Sequence, residues 1–195
     1  MPDSQLTPER IDELLKALGE QLMAVGARVE LVVIGGTALV ALGLIKRSTA
    51  DVDVVALMES GTLAGADPLP ELLAEASRRV AADFDLLESW LNAEPSTDLL
   101  RLGLPEGFEA RLIATRYGPA LRVHFASRLD QIHLKLYAMV DRGLGKHEQD
   151  IRALAATSAE LLQAARWART LVPSEPFRVE LIEVLRYLGV SDASI

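Results

Sequence analysis

The sequence contains no cysteine, which excludes a disulfide framework, thiolate-ligated metal and a cysteine nucleophile. It also lacks any excess of positive charge, with 20 Lys and Arg against 28 Asp and Glu and a net charge of −8. Broad electrostatic binding to nucleic acid or to an anionic membrane draws on clustered Lys and Arg, so this balance argues against both and leaves room only for a local basic patch. No apolar run reaches membrane-spanning length. The opening residues MPDSQLTPER lack the basic start and apolar core of a signal peptide, and a cytoplasmic protein with no membrane partner is expected. Internal repeats and low-complexity tracts are missing too. His124, His133 and His147 have no metal-ligand spacing. The segment GLGK at 143–146 lacks the spacing and the following Ser or Thr of a phosphate-binding P-loop.

What is present suffices for a substantial core. Half of the 195 residues are apolar and a quarter are charged, the balance of a compact fold rather than a disordered chain. The organising stretch is Val32 to Ala56, VVIGGTALVALGLIKRSTADVDVVA. It reads as a buried strand, a Gly35-Gly36 turn, a helix from about Thr37 to Leu44, a basic and hydroxyl-bearing bend at 46–49, and a second strand from about Asp51 to Leu57. Side chains alternate along a strand, so Asp51 and Asp53 point the same way. Two strands joined through a helix predict sheet neighbours covered by helices.

Around this stretch the pattern is mixed. Thr7, Pro8 and Glu9 predict a helix start, with Arg10 in place of the Glu or Gln of a capping box and with Leu6 and Ile11 able to form a hydrophobic staple. Ile11, Leu14, Leu15, Leu18 and Leu22 supply the buried face. A loop is expected over 59–70 and a helix over 71–82, whereas 83–106 carries breakers at Asn92, Pro95 and Pro105. The runs 108–117 and 120–125 flank Gly118-Pro119 and predict a hairpin at the sheet margin, with Arg111, Arg116 and Arg122 along one side. Ser127 and Asp130 start a helix to about Arg142, and Lys135 lies beside its apolar stripe. From residues alone Lys135 reads as a snorkelling surface lysine, and Asp150 as a helix acid able to pair with Lys146. Helices are expected over 147–156, from a cap at Thr157 and Glu160, and over 177–188. Trp90, Trp167 and Tyr187 read as core or interface.

The chemistry suggested by 32–56 is phosphoryl or nucleotidyl transfer. That reaction needs a cation between protein carboxylates and phosphate oxygens, and Mg²⁺ favours one or two carboxylates completed by substrate oxygens and water. Asp51 and Asp53 supply such a pair. Gly35 and Gly36 allow close backbone approach, the following helix directs its free N–H groups at the turn, and Thr37 adds a hydroxyl. Lys46, Arg47, Ser48 and Thr49 can balance triphosphate charge or hold the bend.

These residues resemble a family. GGT followed by RSTADVD is similar to the glycine-serine (or glycine-threonine) and D-x-D signature of the nucleotidyltransferase fold. The stretch RVHFASRLDQIHLKLYAMVDRGLGKHEQDIRAL at 122–154 resembles the lysine-then-aspartate region of AbiEii-like toxins, and more closely that of uncharacterised bacterial nucleotidyltransferase-like proteins. The resemblance implies an α/β (α+β) fold, a nucleotidyltransferase-like mixed sheet flanked by helices over 1–145 with a helical extension over 146–195. It implies a nucleoside triphosphate bound through Gly35, Gly36, Thr37, Arg47 and Thr49. Asp51 and Asp53 would hold Mg²⁺, with Lys135 and Asp150 as further catalytic residues. An RNA acceptor and an antitoxin protein are the implied partners. The family's usual third strand carboxylate is missing; His124 stands where it is expected, with Glu109 and Asp130 nearby in sequence. That departure sustains an alternative, a non-catalytic binding protein acting through a protein partner.

Overall fold

A computed structural model describes residues 5–195, which divide into two compact units. The first comprises the chain up to Leu104 together with Glu109–Ala126, and the second comprises Pro105–Phe108 with Ser127–Ile195.

The first unit opens with α1 (Pro8–Ala24), where the Thr7 hydroxyl accepts from the Arg10 N–H and Pro8 occupies the first turn. Its buried face is Ile11, Leu14, Leu15, Leu18 and Leu22. Next come β1 (Val29–Ile34), α2 (Gly35–Ala41), β2 (Val52–Glu59), β3 (Thr62–Ala64), α3 (Glu71–Asp83), β4 (Leu91–Asn92), α4 (Glu94–Leu102), β5 (Ile113–Tyr117) and β6 (Leu121–Phe125). The sheet order is β3-β2-β1-β6-β5, with β4 added to β2. It is a mixed sheet: β1 runs antiparallel to β2 and parallel to β6, and β4 runs parallel to β2. The predicted mixed α/β architecture is therefore present. The hairpin lies at the sheet margin, but its first strand starts only at Ile113, after a 3₁₀ turn over Glu109–Arg111.

Two features of the loop and breaker regions differ from expectation. The 59–70 loop contains a tight β2–β3 hairpin whose turn residues, Ser60 and Gly61, both have positive φ (52° and 85°), the geometry that matches the strands' twist. Pro95 does not break structure: it sits in the first turn of α4, where its missing N–H is harmless. Trp90 is buried, and its indole N–H donates to the Ser77 carbonyl on α3 at 3.0 Å. This anchor ends a 3₁₀ turn, Glu88–Trp90, and brings Leu91 and Asn92 beside β2. Trp90 is thus a core residue, as its type suggests.

A register shift between Val32 and Val33 sets one residue of β2 aside as a bulge. Ala56 pairs with Val32, yet Val54 pairs with Val33 and Asp53 with Ile34. Strict alternation from Ala56 would have put Asp53 on the opposite face. The bulge restores it to the face of Val32 and Ile34, a re-aiming that bulges commonly perform beside functional sites.

The second unit holds α5 (Arg128–Arg142), α6 (Gly145–Ala153), α7 (Ser158–Leu171) and α8 (Glu175–Tyr187). Ser127 caps α5 through the Asp130 N–H, and Thr157 with Glu160 forms the complete capping box of α7. Arg128 clamps this end of the unit: its guanidinium donates to the Leu154 carbonyl at 2.6 and 2.9 Å and to Glu160 at 2.5 Å. Arg128, with help from the Thr157 N–H, pulls the Glu160 carboxyl down to about 2. Trp167 packs edge-on to His133 and Tyr137, and Tyr137 meets Phe177, joining α5, α7 and α8. Tyr187 is not a core residue. It is half-exposed, its hydroxyl donates to Glu148 at 2.8 Å, and the Arg152 guanidinium lies 5.5 Å from its ring centre.

Candidate active site

Gly35 follows β1 as the first residue of α2, with φ +73°, a left-handed conformation that favours glycine. A Cβ placed on it would lie 2.5 Å from Asp53 Oδ2, so the missing side chain is what admits the Asp53 carboxylate to this corner. Gly36 has a different neighbour. A Cβ there would fall 2.5 Å from Thr49 Oγ1 and 3.5 Å from the Arg47 guanidinium, so the 46–49 bend packs directly over it. The two glycines are therefore spent on two different approaches, one by the strand carboxylate and one by the basic bend.

The bend is held from several sides. Leu6 and Thr49 form an isolated antiparallel bridge with hydrogen bonds of 2.7 and 3.1 Å, and Ser48 donates to Gln5. Arg47 donates to its neighbour's carbonyl, Ser48 O, at 2.9 Å. Thr37 is fully buried, and its hydroxyl donates to the Asp51 carbonyl at 2.5 Å. That bond ties the start of α2 to the approach to β2. Thr37 consequently fixes the Asp51 backbone at the approach to β2, and its hydroxyl proton is engaged in doing so.

One residue of this corner was not singled out by its type. Asn92 on β4 pairs in register with Asp53, and its Nδ2 donates to Asp53 Oδ1 at 3.2 Å. In the sequence it reads only as a breaker. The available signal was its place two residues before the start of α4, where Asn commonly accepts a backbone N–H; here it accepts from Glu94 N at 3.0 Å.

A family model described as "Nucleotidyltransferase of unknown function (DUF6036)" matches residues 9–159, well over half of the chain. The chain belongs to this family. No curated protein and no solved structure gives a significant match. The nucleotidyltransferase assignment thus rests on the family model, and the corner built by Gly35, Gly36 and Asp53 lies within the matched region.

As a DUF6036 nucleotidyltransferase, the chain places the other sequence candidates elsewhere. His124 is on β6, paired with Val32 of β1, so β1 separates it from β2. Its Nε2 lies 2.7 Å from Glu30, which also meets Arg122 at 3.6 Å. It belongs to a Glu30–Arg122–His124 row and does not stand in for a third carboxylate beside Asp53. Asp130, in the first turn of α5, accepts the Ser127 hydroxyl at 2.5 Å, and Glu109 is exposed in the 3₁₀ turn. Arg116 and Arg122 are directly opposed across the hairpin.

Lys135 and Asp150 come together in the helical unit. Lys135 Nζ is 2.8 Å from Asp150 Oδ2, with side chains 7% and 1% exposed. This corrects both residue-level readings: Lys135 does not snorkel to the surface, and Asp150 pairs with Lys135 across helices rather than with the exposed Lys146. His147, one turn before Asp150, has a buried Nδ1 with no hydrogen-bond partner. Burial, followed by the charges of Lys135 and Lys146, lowers its pKa from 6.5 to about 4. The unfolded chain therefore takes up this proton first. Stability is complete above about pH 6.5 and declines as pH falls towards 4. Denaturant melts at steps between those pH values are expected to show this decline in the wild type and a shallower one in His147→Gln.

The corner in the first unit suits a magnesium ion in its donor chemistry. Asp53, set in a cradle that a Cβ would fill, with Asp51 two positions before it in sequence, matches an ion that takes few protein carboxylates and completes its shell with phosphate oxygens and water. Among the described residues, no group of three or more His, Cys, Asp or Glu could hold a metal by themselves. Among them, too, no helix is long and apolar enough to cross a membrane.

Proposed function

We propose that the chain is a Mg²⁺-dependent nucleotidyltransferase that moves a nucleotidyl group from a nucleoside triphosphate to an acceptor hydroxyl. The observation that carries this reading is the Asp53 carboxylate lodged against Gly35, beside a basic bend packed over Gly36. Asp51 and Asp53 would hold the ion, which when bound neutralises phosphate charge and favours in-line displacement. Gly35 and Gly36 give the triphosphate close backbone approach, Arg47 supplies charge, Thr49 keeps the bend in place, and Thr37 sets the position of Asp51. Lys135 and Asp150, paired at 2.8 Å within the second unit, enter this reading as catalytic residues by the resemblance alone. The resemblance to AbiEii-like toxins favours a bacterial, cytoplasmic toxin with an RNA hydroxyl as acceptor and an antitoxin protein as partner. At a net charge of −8, contact with RNA would fall to local cations such as Arg116 and Arg122.

A second reading, a non-catalytic nucleotidyltransferase-fold protein acting through a protein partner, is favoured by one observation: Asp51 and Asp53 belong to no group of three or more potential acidic or histidine ligands among the described residues. Calorimetric titration with ATP, CTP, GTP and UTP, each in Mg²⁺ and in EDTA, separates the possibilities. Metal-dependent binding followed by transfer of label to cellular RNA supports the transferase. Binding with no label on RNA or protein supports the second reading, and no metal-dependent binding of any nucleotide removes the transferase.

A further inference from the structure

Building on the metal-centre reading above, we infer that Asn92 is a positioning residue that fixes the Asp53 carboxylate for a single divalent cation. Asn92 and Asp53 are 39 positions apart in sequence and meet because β4 adds to β2 in parallel register. The side-chain amide is tied at both ends. Its oxygen accepts the Glu94 N–H at 3.0 Å, which only an oxygen can do, so its nitrogen is the atom facing Asp53 Oδ1 at 3.2 Å. Asp53 Oδ2 lies on the other side, against Gly35. The carboxylate is thereby bracketed by two elements, and turning it would break the hydrogen bond from the Asn92 amide or press an oxygen into the glycine backbone.

The chemistry of the amide also bears on how many ions the corner takes. An aspartate in place of Asn92 would set a second carboxylate against Asp53, an arrangement that like-charge repulsion opposes unless another cation bridges the two. The neutral amide instead donates to Asp53 and adds no charge. Groups that orient metal ligands in this way typically change metal affinity by about 10–100-fold when removed.

The test is titration of Mn²⁺ alone into the full-length chain, followed by electron paramagnetic resonance, with circular dichroism to show that each variant is folded. The wild type is expected to bind one ion, and Asp53→Ala none. Asn92→Ser retains a hydroxyl that can accept the Glu94 N–H but is too short to reach Asp53, and is expected to bind about 10–100-fold more weakly. Asn92→Asp is expected to take up a second ion. Wild-type affinity in Asn92→Ser would overturn the positioning role while leaving the metal centre standing, and a single ion in Asn92→Asp would overturn the inference that Asn92 sets the count. A wild type that binds no Mn²⁺, or binds it equally after Asp53→Ala, would overturn the metal-centre reading and this inference with it.

Discussion

Asp150→Asn is expected to destabilise the helical unit by about 3–5 kcal/mol, because it removes the carboxylate charge that lies 2.8 Å from the buried Lys135 ammonium. Lys135→Met alone should act similarly through the stranded Asp150 carboxylate. The double variant Lys135→Met/Asp150→Leu is expected to recover most of the loss. Desolvating two charges offsets much of their mutual attraction, so an apolar pair of similar size is often neutral or better. Urea denaturation followed by far-ultraviolet circular dichroism, with amide exchange read over α5 and α6, gives the comparison. A loss below about 1 kcal/mol in Asp150→Asn would place the pair in a solvated setting, where such bonds are weak. The double variant also separates two roles. If it is stable yet no longer supports metal-dependent nucleotide chemistry, Lys135 is needed for charge in the reaction; if it is stable and fully active, the pair serves the helices alone.

The same pair shows what the sequence could convey. Helix starts are local, and they were legible: Thr7 with Pro8, Ser127 with Asp130, and Thr157 with Glu160 all cap helices as their spacing predicts. The Gly35-Gly36 turn and the strand that carries Asp53 were legible for the same reason, since everything that defines them lies within 25 positions. Lys135 and Asp150 sit on different helices, and nothing in the four-residue helical period distinguishes a partner across helices from Lys146 on the same one.

Sheet order was hidden by the same kind of distance. The resemblance put His124 at the place of a third carboxylate, but β6 lies next to β1, not β2, and His124 meets Glu30. The strand that does reach β2 beyond Asp53 is β4, only two residues long. Two residues show no period, and the Asn, Pro and Glu around them look like breakers. What makes β4 a strand is the burial of Trp90 against α3, a tertiary contact that precedes Asn92 by two positions. The bulge in β2 was likewise invisible, because the run of Val and Ala there is apolar on both faces.

Gly35→Ala is expected to lower any metal-dependent transfer by about two orders of magnitude while leaving the sheet folded, since displacements near 1 Å at a reacting centre can have that effect. Two causes act together. Alanine at φ +73° carries about 1–2 kcal/mol of backbone strain, and its Cβ would stand 2.5 Å from Asp53 Oδ2, so the carboxylate must move away from the corner. Gly36→Ala provides the contrast: no positive φ is demanded there, and the Cβ meets the side chain of Thr49. It should weaken nucleotide affinity through the displaced Arg47 and Thr49 bend, with little effect on binding of Mn²⁺ alone. Measuring Mn²⁺ affinity and nucleotide affinity separately on both variants resolves the corner into its parts. Equal losses of both ligands in the two variants would mean that the glycines support a single shared surface; opposite patterns would mean that Gly35 serves the carboxylate and Gly36 the basic bend, as their neighbours indicate.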